Sequence, residues 1–207
     1  MQSMSFDSFR NENVVQALGS DGGCIFPSKL AHTFLDGLTG IEIGGASHNS
    51  FGLQTIKVDK SVNKKFGGTG YEHVDVLSQG DDLPFPDNSV DFIISSHVLE
   101  HFFDPIKALK EWRRVARKYI FMIIPNRDAL LSDVEKPLTP VRELVHRHIG
   151  SLKSPDMHED KHHSRWTLES FLTLLSTMNY NNEYKVVAAL RKDDKIGNGF
   201  CVVLDVE

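Results

Sequence analysis

The stretch Gly80–Pro105, GDDLPFPDNSVDFIISSHVLEHFFDP, is the most regular part of the sequence. Its centre, Val90–Ser95, is almost continuously apolar and follows a turn rich in Pro, Asp and Asn, which predicts a strand covered on both faces. Near its end, Asp104 is suited to cap a helix and Pro105 to occupy the first helical position. The stretch therefore predicts a buried strand followed by a helix that begins at Pro105.

Strand-like and helical patterns alternate on both sides of this stretch. A helix is predicted over 29–38, and another begins at Thr167. The last two strand-like runs are joined by RKDDKIGN, which is too short for a helical crossover, so these two strands must be antiparallel. The pattern predicts an α/β fold, a doubly wound, seven-stranded, mostly parallel sheet with an antiparallel C-terminal hairpin. In chain order the predicted strands are 40–44, 54–59, 71–77, 90–95, 118–124, 184–190 and 199–206.

Length and charge limit the classes of protein to consider. The chain has 207 residues, of which 40% are hydrophobic and 25% charged, as in an ordinary globular domain. We expect a single domain over 1–207, with a lead-in over 1–28 and an acceptor-side insertion over 126–166. The formal net charge of -5 argues against nucleic acid as a partner, because a phosphate backbone requires a basic surface.

Hydropathy and cysteine usage bear on the compartment. No apolar run approaches the ~18 residues of a membrane span, and the N-terminus lacks the basic and apolar regions of a signal peptide. Cys24 and Cys201 lie far apart without metal-like spacing, as expected of buried thiols in a reducing compartment. These features predict a cytoplasmic protein without a membrane span.

A glycine pair marks the end of the first predicted strand. In IEIGGASHNS, residues 41–50, Gly44 and Gly45 stand where a backbone can approach a nucleotide closely. Asp59 ends the second strand, where a carboxylate can accept hydrogen bonds from both hydroxyls of a ribose. The residues alone leave two alternatives open: a simple tight turn for the glycines and a solvated strand end for the acid.

Two adjoining segments carry a family resemblance. Residues 82–91, DLPFPDNSVD, and residues 95–101, SSHVLEH, resemble class I S-adenosylmethionine-dependent methyltransferases, in particular small members with a D-L-P-F-x-D-x-S-x-D signature before the fourth strand. The resemblance covers roughly 40–125 and, in outline, the closing strand pair. It implies S-adenosylmethionine as the cofactor and methyl transfer as the reaction.

The resemblance also implies a set of cofactor-binding residues. The glycine pair would face the methionine and ribose parts of the cofactor, and the acid two residues before it would support the loop or bind the methionine amino group. The acid that ends the second strand would bind the ribose, the residues before the LPF segment would face adenine, and those after the fourth strand would line the methionine end. The implied set is Glu42, Gly44, Gly45, Asp59, Gln79, Gly80, Asp81, Ser95, Ser96 and His97.

Several positions depart from the family pattern. Ala46 and His48 replace later glycines of the loop, and Gln79 stands where the family usually has an acid. The segment between Glu42 and Asp59 is short, which predicts a first crossover helix of one or two turns. The usual Pro-Gly-Gly turn before the fifth strand is absent. An inactive homologue is therefore kept as an alternative.

Methyl transfer to a hydroxyl also needs a base, and histidine is suited because its pKa lies near neutrality. The predicted catalytic residues are His97 and His101, which follow the fourth strand, and His163, which lies in a histidine-rich segment; ordinary local hydrogen bonding is the alternative reading of the first two. The stretches 101–105 and 162–166 also resemble those of small methyltransferases in polysaccharide-biosynthesis settings. That resemblance suggests a saccharide hydroxyl as the acceptor, with His162 or His163 reaching the active site.

The sequence predicts no metal site. Residues 158–162, HEDKH, match the H-E-x-x-H pattern of zinc metallopeptidases, but they follow Ser-Pro and are flanked by charges without an apolar stripe. His146 and His148 lie two positions apart on a predicted helix capped at Thr139, so they point in different directions and cannot chelate one ion together.

The leading prediction is S-adenosylmethionine-dependent methyl transfer to a small-molecule or saccharide acceptor, on oxygen. One alternative is an NAD(P)-dependent oxidoreductase on a related sheet, although a dinucleotide needs a longer glycine loop to hold its pyrophosphate. The other alternative is a non-catalytic S-adenosylmethionine-binding module of the same fold. The sequence does not distinguish the acceptor or the oligomeric state.

Overall fold

A computed structural model describes residues 17–18, 24–25, 28–45, 51–62, 73–154, 162–179 and 182–207. Within these residues the chain forms a seven-stranded sheet flanked by helices, and a separate antiparallel pair, Ala17–Leu18 with Cys24–Ile25. The strands of the large sheet are β1 (Thr39–Ile43), β2 (Gln54–Asp59), β3 (Val76–Leu77), β4 (Val90–Ser96), β5 (Ala116–Pro125), β6 (Lys185–Leu190) and β7 (Gly199–Asp205).

The strand order of the large sheet is β3-β2-β1-β4-β5-β7-β6. The first five strands pair in parallel, whereas β7 pairs antiparallel with both β5 and β6. The predicted doubly wound sheet with an antiparallel C-terminal hairpin is therefore confirmed. The third strand is shorter than expected, and part of its predicted range, 71–72, lies outside the described residues, as do residues 46–50 of the predicted first crossover.

The helices begin where their sequences provide caps, with one exception. The bounds are α1 (Lys29–Leu35), α2 (Pro105–Val115), α3 (Val141–His148) and α4 (Leu168–Met178). Asp104 caps α2, as predicted, by accepting from the Lys107 amide at 2.9 Å; Thr167, where the last helix was predicted to begin, is the cap of α4. The prediction that Thr139 caps α3 is wrong: Pro140 precedes that helix, and the Thr139 hydroxyl accepts from the Arg165 amide at 3.0 Å instead.

The sheet is buried on both faces, which explains its continuous apolar runs. One face packs against α2, α3 and α4 through a cluster that includes Trp112, Leu144 and Phe171. The other face packs against α1 through a cluster that includes Leu30 and Phe121. Alternate residues of β5 and β7 supply the two clusters, as the period of a strand requires.

Two further sequence predictions concern the thiols and the membrane. Cys201 is a buried free thiol on β7, and burial raises its pKa. Among the described residues, no helix has the length and apolar character needed to span a bilayer.

Candidate active site

The carboxyl ends of the parallel strands form one edge of the sheet, here called the cofactor edge. The register pairs Ile43 of β1 with Val58 on one side and with Ser95 on the other. Asp59 ends β2 and Ser96 ends β4, so both residues lie at this edge. In open α/β sheets, ligands bind in the crevice outside the carboxyl ends of the strands.

The glycine pair directly after β1 shapes the cofactor edge. Gly44 has φ +73°, a left-handed conformation that favours glycine. A Cβ on Gly44 would lie 2.4 Å from Val98 Cγ2, and one on Gly45 would lie 2.9 Å from the Glu42 carboxyl carbon. Side chains are therefore excluded at both positions, because Val98 and Glu42 pack closely against the turn.

The two acids predicted near this loop are both buried at the cofactor edge. Glu42 is 3% exposed and accepts a long hydrogen bond, 3.4 Å, from the Thr55 hydroxyl. Asp59 is 8% exposed, and its Oδ1 accepts from the Ser61 amide at 3.1 Å. A carboxylate has about four lone-pair sites, so the backbone bond that Asp59 accepts within the described residues leaves it the capacity to accept from a ribose.

The residues predicted to face adenine form a turn at the same edge. The Asp82 amide donates to the Gln79 carbonyl at 3.2 Å, and Gln79 itself is exposed. The Trp112 indole N–H donates to the buried carbonyl of Gly80 at 2.7 Å, which fixes the turn to α2. Asp81 pairs with Lys107 at 3.0 Å, and this hydrogen bond raises the pKa of Lys107.

The end of β4 carries buried serines and a strained histidine. Ser95 and Ser96 are buried, and His97 has φ +55°. The Ser96 hydroxyl donates to His97 Nδ1 at 3.1 Å, and His97 Nε2–H donates to Asn198 Oδ1 at 2.9 Å. A left-handed conformation costs a non-glycine residue roughly 1–2 kcal/mol, and such strain is concentrated at functional sites.

Asn198 belongs to the loop between β6 and β7, which sequence reasoning assigned to no site. The buried carboxylate of Asp193 accepts backbone N–H groups from three residues of this loop, Lys195, Ile196 and Gly197, and from Gly199, which begins β7. Burial works to raise the pKa of Asp193, but these backbone bonds outweigh it and lower the pKa overall.

The same loop also brings a lysine near the cofactor edge. Lys195 is 5% exposed, and its ammonium lies 4.3 Å from the centre of the Phe51 ring. Burial lowers the pKa of Lys195, against an opposing effect of Glu42 and two loop aspartates. The adjacent Asp194 accepts from the Leu30 amide at 2.9 Å, which ties the loop to the start of α1.

A cluster of one carboxylate and two imidazoles follows β4, here called the Glu–His–His cluster. It consists of Glu100, which is 0% exposed, His101 and His162. Glu100 Oε1 lies 3.6 Å from His101 Nε2 and 3.8 Å from His162 Nε2. The two imidazole rings meet edge to face, with centroids 4.9 Å apart. The sequence pointed to both histidines separately but not to their meeting.

The other predicted histidines lie in different surroundings. His163 packs edge-on against Phe103, and burial lowers its pKa, assisted by Arg147 and Arg165. His148 Nδ1 lies 2.9 Å from the Asp104 carboxylate. Residues 158–161 of the HEDKH pattern lie outside the described residues, so the metallopeptidase hypothesis stays untested. The catalytic and cofactor roles predicted above likewise stay predictions.

Comparison of this fold with solved structures indicates its class. A structure of an S-adenosylmethionine-dependent methyltransferase from Methanosarcina mazei superposes with a TM-score of 0.52, covering 86% of this chain and 96% of that one at 17% identity. At this identity the likeness concerns the fold alone. It agrees with the mixed seven-stranded sheet described above.

The sequence comparisons show which known proteins part of the chain is similar to. Residues 38–124 match the family model described as "Methyltransferase domain". An ajmaline N-methyltransferase of Rauvolfia serpentina is 41% identical over 73 residues, which are 34% of this chain and 24% of that protein. An uncharacterised methyltransferase of Bacillus subtilis is 28% identical over 175 residues, 79% of this chain and 66% of that protein.

The fold and the match of residues 38–124 to a methyltransferase domain agree with the resemblance to class I S-adenosylmethionine-dependent methyltransferases, whose cofactor is S-adenosylmethionine. The chain spans only part of the length of the curated relatives it matches. The residues present suit the cofactor, because the buried carboxylate of Asp59 ends β2 at the cofactor edge, where it can accept hydrogen bonds from ribose hydroxyls.

Proposed function

We propose that this protein transfers a methyl group from S-adenosylmethionine to a hydroxyl group of a small molecule, with saccharides as the acceptor class. The observation that carries the proposal is His97, a histidine held at the cofactor edge with both ring nitrogens hydrogen-bonded. Transfer to a hydroxyl requires a base at this place, whereas transfer to a neutral amine does not require one of this kind.

The cofactor would be held by residues at three strand ends. Gly44 and Gly45 supply the close backbone approach, and Asp59 accepts from the ribose hydroxyls. Glu42, buried behind the loop, supports it or accepts from the methionine amino group. The exposed amide of Gln79 is suited to accept from the exocyclic amine of adenine.

When bound, S-adenosylmethionine supplies a methyl group already activated by a sulfonium, so the protein has to orient the acceptor, exclude water and accept a proton. With Asn198 Oδ1 facing Nε2, the proton of neutral His97 resides on Nε2. His97 Nδ1 is then the basic nitrogen, and the Ser96 hydroxyl donates to it. We assign His97 as the base, receiving the acceptor proton at Nδ1 directly or through the Ser96 hydroxyl.

Cofactor binding is tested by calorimetry with S-adenosylhomocysteine and with NADH on the full chain. We expect binding of S-adenosylhomocysteine alone, weakened at least about tenfold in Asp59→Asn, because one charge-assisted hydrogen bond is worth about 1.5–3 kcal/mol. Asp205→Asn is a matched control, since Asp205 also ends a strand and accepts from an amide two residues on, at 3.1 Å. Equal binding by wild type and Asp59→Asn contradicts the site assignment.

Transfer is tested with S-adenosylmethionine labelled in its methyl group and a panel of sugar nucleotides, free sugars and amines. We expect label in a hydroxyl-bearing acceptor and a fall in kcat of about 100-fold or more in His97→Asn, with the S-adenosylhomocysteine affinity retained. Label only in amines would contradict the hydroxyl assignment. Cofactor binding with no labelled acceptor would favour the non-catalytic module.

A further inference from the structure

We propose that the Glu–His–His cluster binds a divalent first-row transition metal ion, with zinc as the representative ion. The candidate ligand atoms are one carboxylate oxygen of Glu100 and one ring nitrogen each of His101 and His162. Binding of the ion is independent of the function proposed above. Its role toward the acceptor rests on that function.

The distances within the cluster approach those of a metal site. All three ligand atoms lie within 4.8 Å of one another, and both Nε2 atoms face the same carboxylate oxygen at 3.6 and 3.8 Å. Zinc bonds of about 2.0–2.1 Å in tetrahedral geometry separate neighbouring ligands by roughly 3.4 Å. Only small side-chain movements are therefore needed to close the cluster around an ion.

The ligand chemistry selects the kind of ion. Two imidazoles and one carboxylate suit zinc or iron(II), whereas calcium and magnesium prefer oxygen ligands. Three protein ligands also leave at least one coordination position open, as in catalytic rather than structural zinc sites. The complete burial of Glu100 places this charge in a low-dielectric region, which strengthens its attraction for a cation.

A buried aspartate orients one of the two imidazoles. Asp133 is 2% exposed, and its Oδ2 accepts from His162 Nδ1–H at 2.6 Å. This bond places the proton on Nδ1 and leaves the lone pair of His162 Nε2 directed at the cluster. Arg165 and Lys136 hold the same carboxylate at 3.0 and 3.3 Å. A carboxylate behind a metal-binding histidine is the usual outer support of such sites.

The backbone brings the distant ligand to the other two. The amides of His163 and Ser164 both donate to the Glu100 carbonyl, at 2.8 and 3.2 Å. The chain beyond them is fixed to the end of β5, where Arg127 donates to the Trp166 carbonyl at 2.9 Å. His162 is thus positioned against the turn at Glu100 by main-chain bonds that do not depend on the cluster itself.

The position of the cluster indicates what the ion would do. Glu100 and His101 lie on a short helical turn, Leu99–His101, that follows the proposed base His97 almost directly. An ion there would bind acceptor oxygens at its open positions, lower the pKa of a bound hydroxyl and orient it, while the base receives the proton. Two adjacent oxygens bind better than one, so vicinal diols and hydroxy acids are the favoured acceptors.

The test uses the full chain, stripped with a chelator and titrated with zinc alone by calorimetry, with bound metal per chain measured by elemental analysis. We expect one equivalent, and a loss of affinity in Glu100→Gln and His162→Ala that exceeds the ~10–100-fold loss typical of an outer support. Asp133→Asn should show that smaller loss. His148→Ala is the control, because His148 pairs with Asp104 outside the cluster.

The outcomes separate this proposal from the previous one. Wild type that binds S-adenosylhomocysteine but no zinc overturns the metal site and leaves the methyl transfer standing, whereas zinc binding without S-adenosylhomocysteine does the reverse. Zinc bound equally by wild type, Glu100→Gln and His162→Ala overturns the site as adventitious binding to surface histidines. Circular dichroism checks that each variant is folded. If Glu100→Gln and His162→Ala are both unfolded, the zinc affinity of Asp133→Asn decides: an affinity equal to that of wild type overturns the site.

Discussion

The cofactor edge and the Glu–His–His cluster adjoin along the chain but are built differently. The cofactor edge is made mainly of backbone: Gly44 turns sharply after β1, and its amide donates to the Val58 carbonyl at 2.9 Å. The cluster is made of titratable side chains that include residues far apart in sequence, such as Glu100 and His162. The cofactor edge therefore tolerates few added atoms, whereas the Glu–His–His cluster depends on the electrostatic balance among its side chains.

The largest effect is expected where an atom is added to the cofactor edge. Gly44→Ala combines the left-handed strain of about 1–2 kcal/mol with an overpacking cost of about 1–3 kcal/mol, because Val98 blocks the new methyl group. We expect the free energy of unfolding, measured with urea, to fall by about 2–5 kcal/mol. Binding of S-adenosylhomocysteine should be lost or severely weakened.

Gly52 supplies the matched control, because its φ is +74° and no atom of the described part of the chain lies within 4 Å of its missing Cβ. Gly52→Ala should therefore show the left-handed strain alone, about 1–2 kcal/mol. In the double variant Gly44→Ala/Val98→Ala the clash should be relieved and part of the binding restored. Equal losses of unfolding free energy in Gly44→Ala and Gly52→Ala would contradict the claim that Val98 leaves no room for a methyl group on residue 44.

The same contrast explains what the sequence could predict. The buried strand over 90–96 and the helix from Pro105 were predictable, because apolar period and capping are local signals. The cap of α3 was not: Thr139 suits a cap locally, but its hydroxyl accepts from Arg165 across a loop. That competing bond is visible only in three dimensions.

The candidate site divides in the same way. Gly44, Gly45 and Asp59 were recognisable because a parallel sheet places residues at strand ends on one edge whatever lies elsewhere. Asn198 meets His97 from a hairpin loop near the C-terminal end, and no spacing in the sequence links the two. His162 meets Glu100 only because backbone bonds fold the intervening chain back. Sequence spacing does not encode such contacts.

A charge effect of intermediate size is expected in the loop that brings Asn198 to the cofactor edge. Asp193 is buried there and accepts several backbone N–H groups, which lower its pKa. Because the folded pKa is lowered, the stability that Asp193 contributes is present above its unfolded pKa and is lost as pH falls through the folded value. We expect Asp193→Asn to cost about 2–4 kcal/mol at neutral pH.

The pH dependence distinguishes this charge effect from a general loss of packing. Urea unfolding at a series of pH values should show the difference between wild type and Asp193→Asn shrinking below about pH 4. Asp205→Asn, at the opposite edge of the sheet with a single backbone bond, should differ little from wild type throughout. A difference that stays constant down to pH 2–3 would contradict the role of the carboxylate charge.

The smallest effect on stability is expected from replacing either of two buried tryptophans, Trp112 or Trp166, by Phe. Trp112 donates its indole N–H to Gly80 at the cofactor edge, whereas the indole N–H of Trp166, which packs against Phe171, has no hydrogen-bond partner among the described residues. Substitution by Phe removes similar ring volume from both, so packing losses should be comparable. Trp112→Phe also leaves the Gly80 carbonyl without its donor, and should cost about 1–2 kcal/mol more in urea unfolding.

The same two variants, Trp112→Phe and Trp166→Phe, also test whether the turn at Gly80 contributes to cofactor binding. Because Gly80 belongs to the turn predicted to face adenine, Trp112→Phe should weaken S-adenosylhomocysteine binding, and Trp166→Phe should leave it nearly unchanged. If both variants lose equal stability and equal affinity, the N–H bond to Gly80 does not hold the turn in place. Packing alone would then stabilise the turn at Gly80. Only Gly44 and Gly45 would still support the view that the cofactor edge, unlike the cluster, is built mainly from backbone.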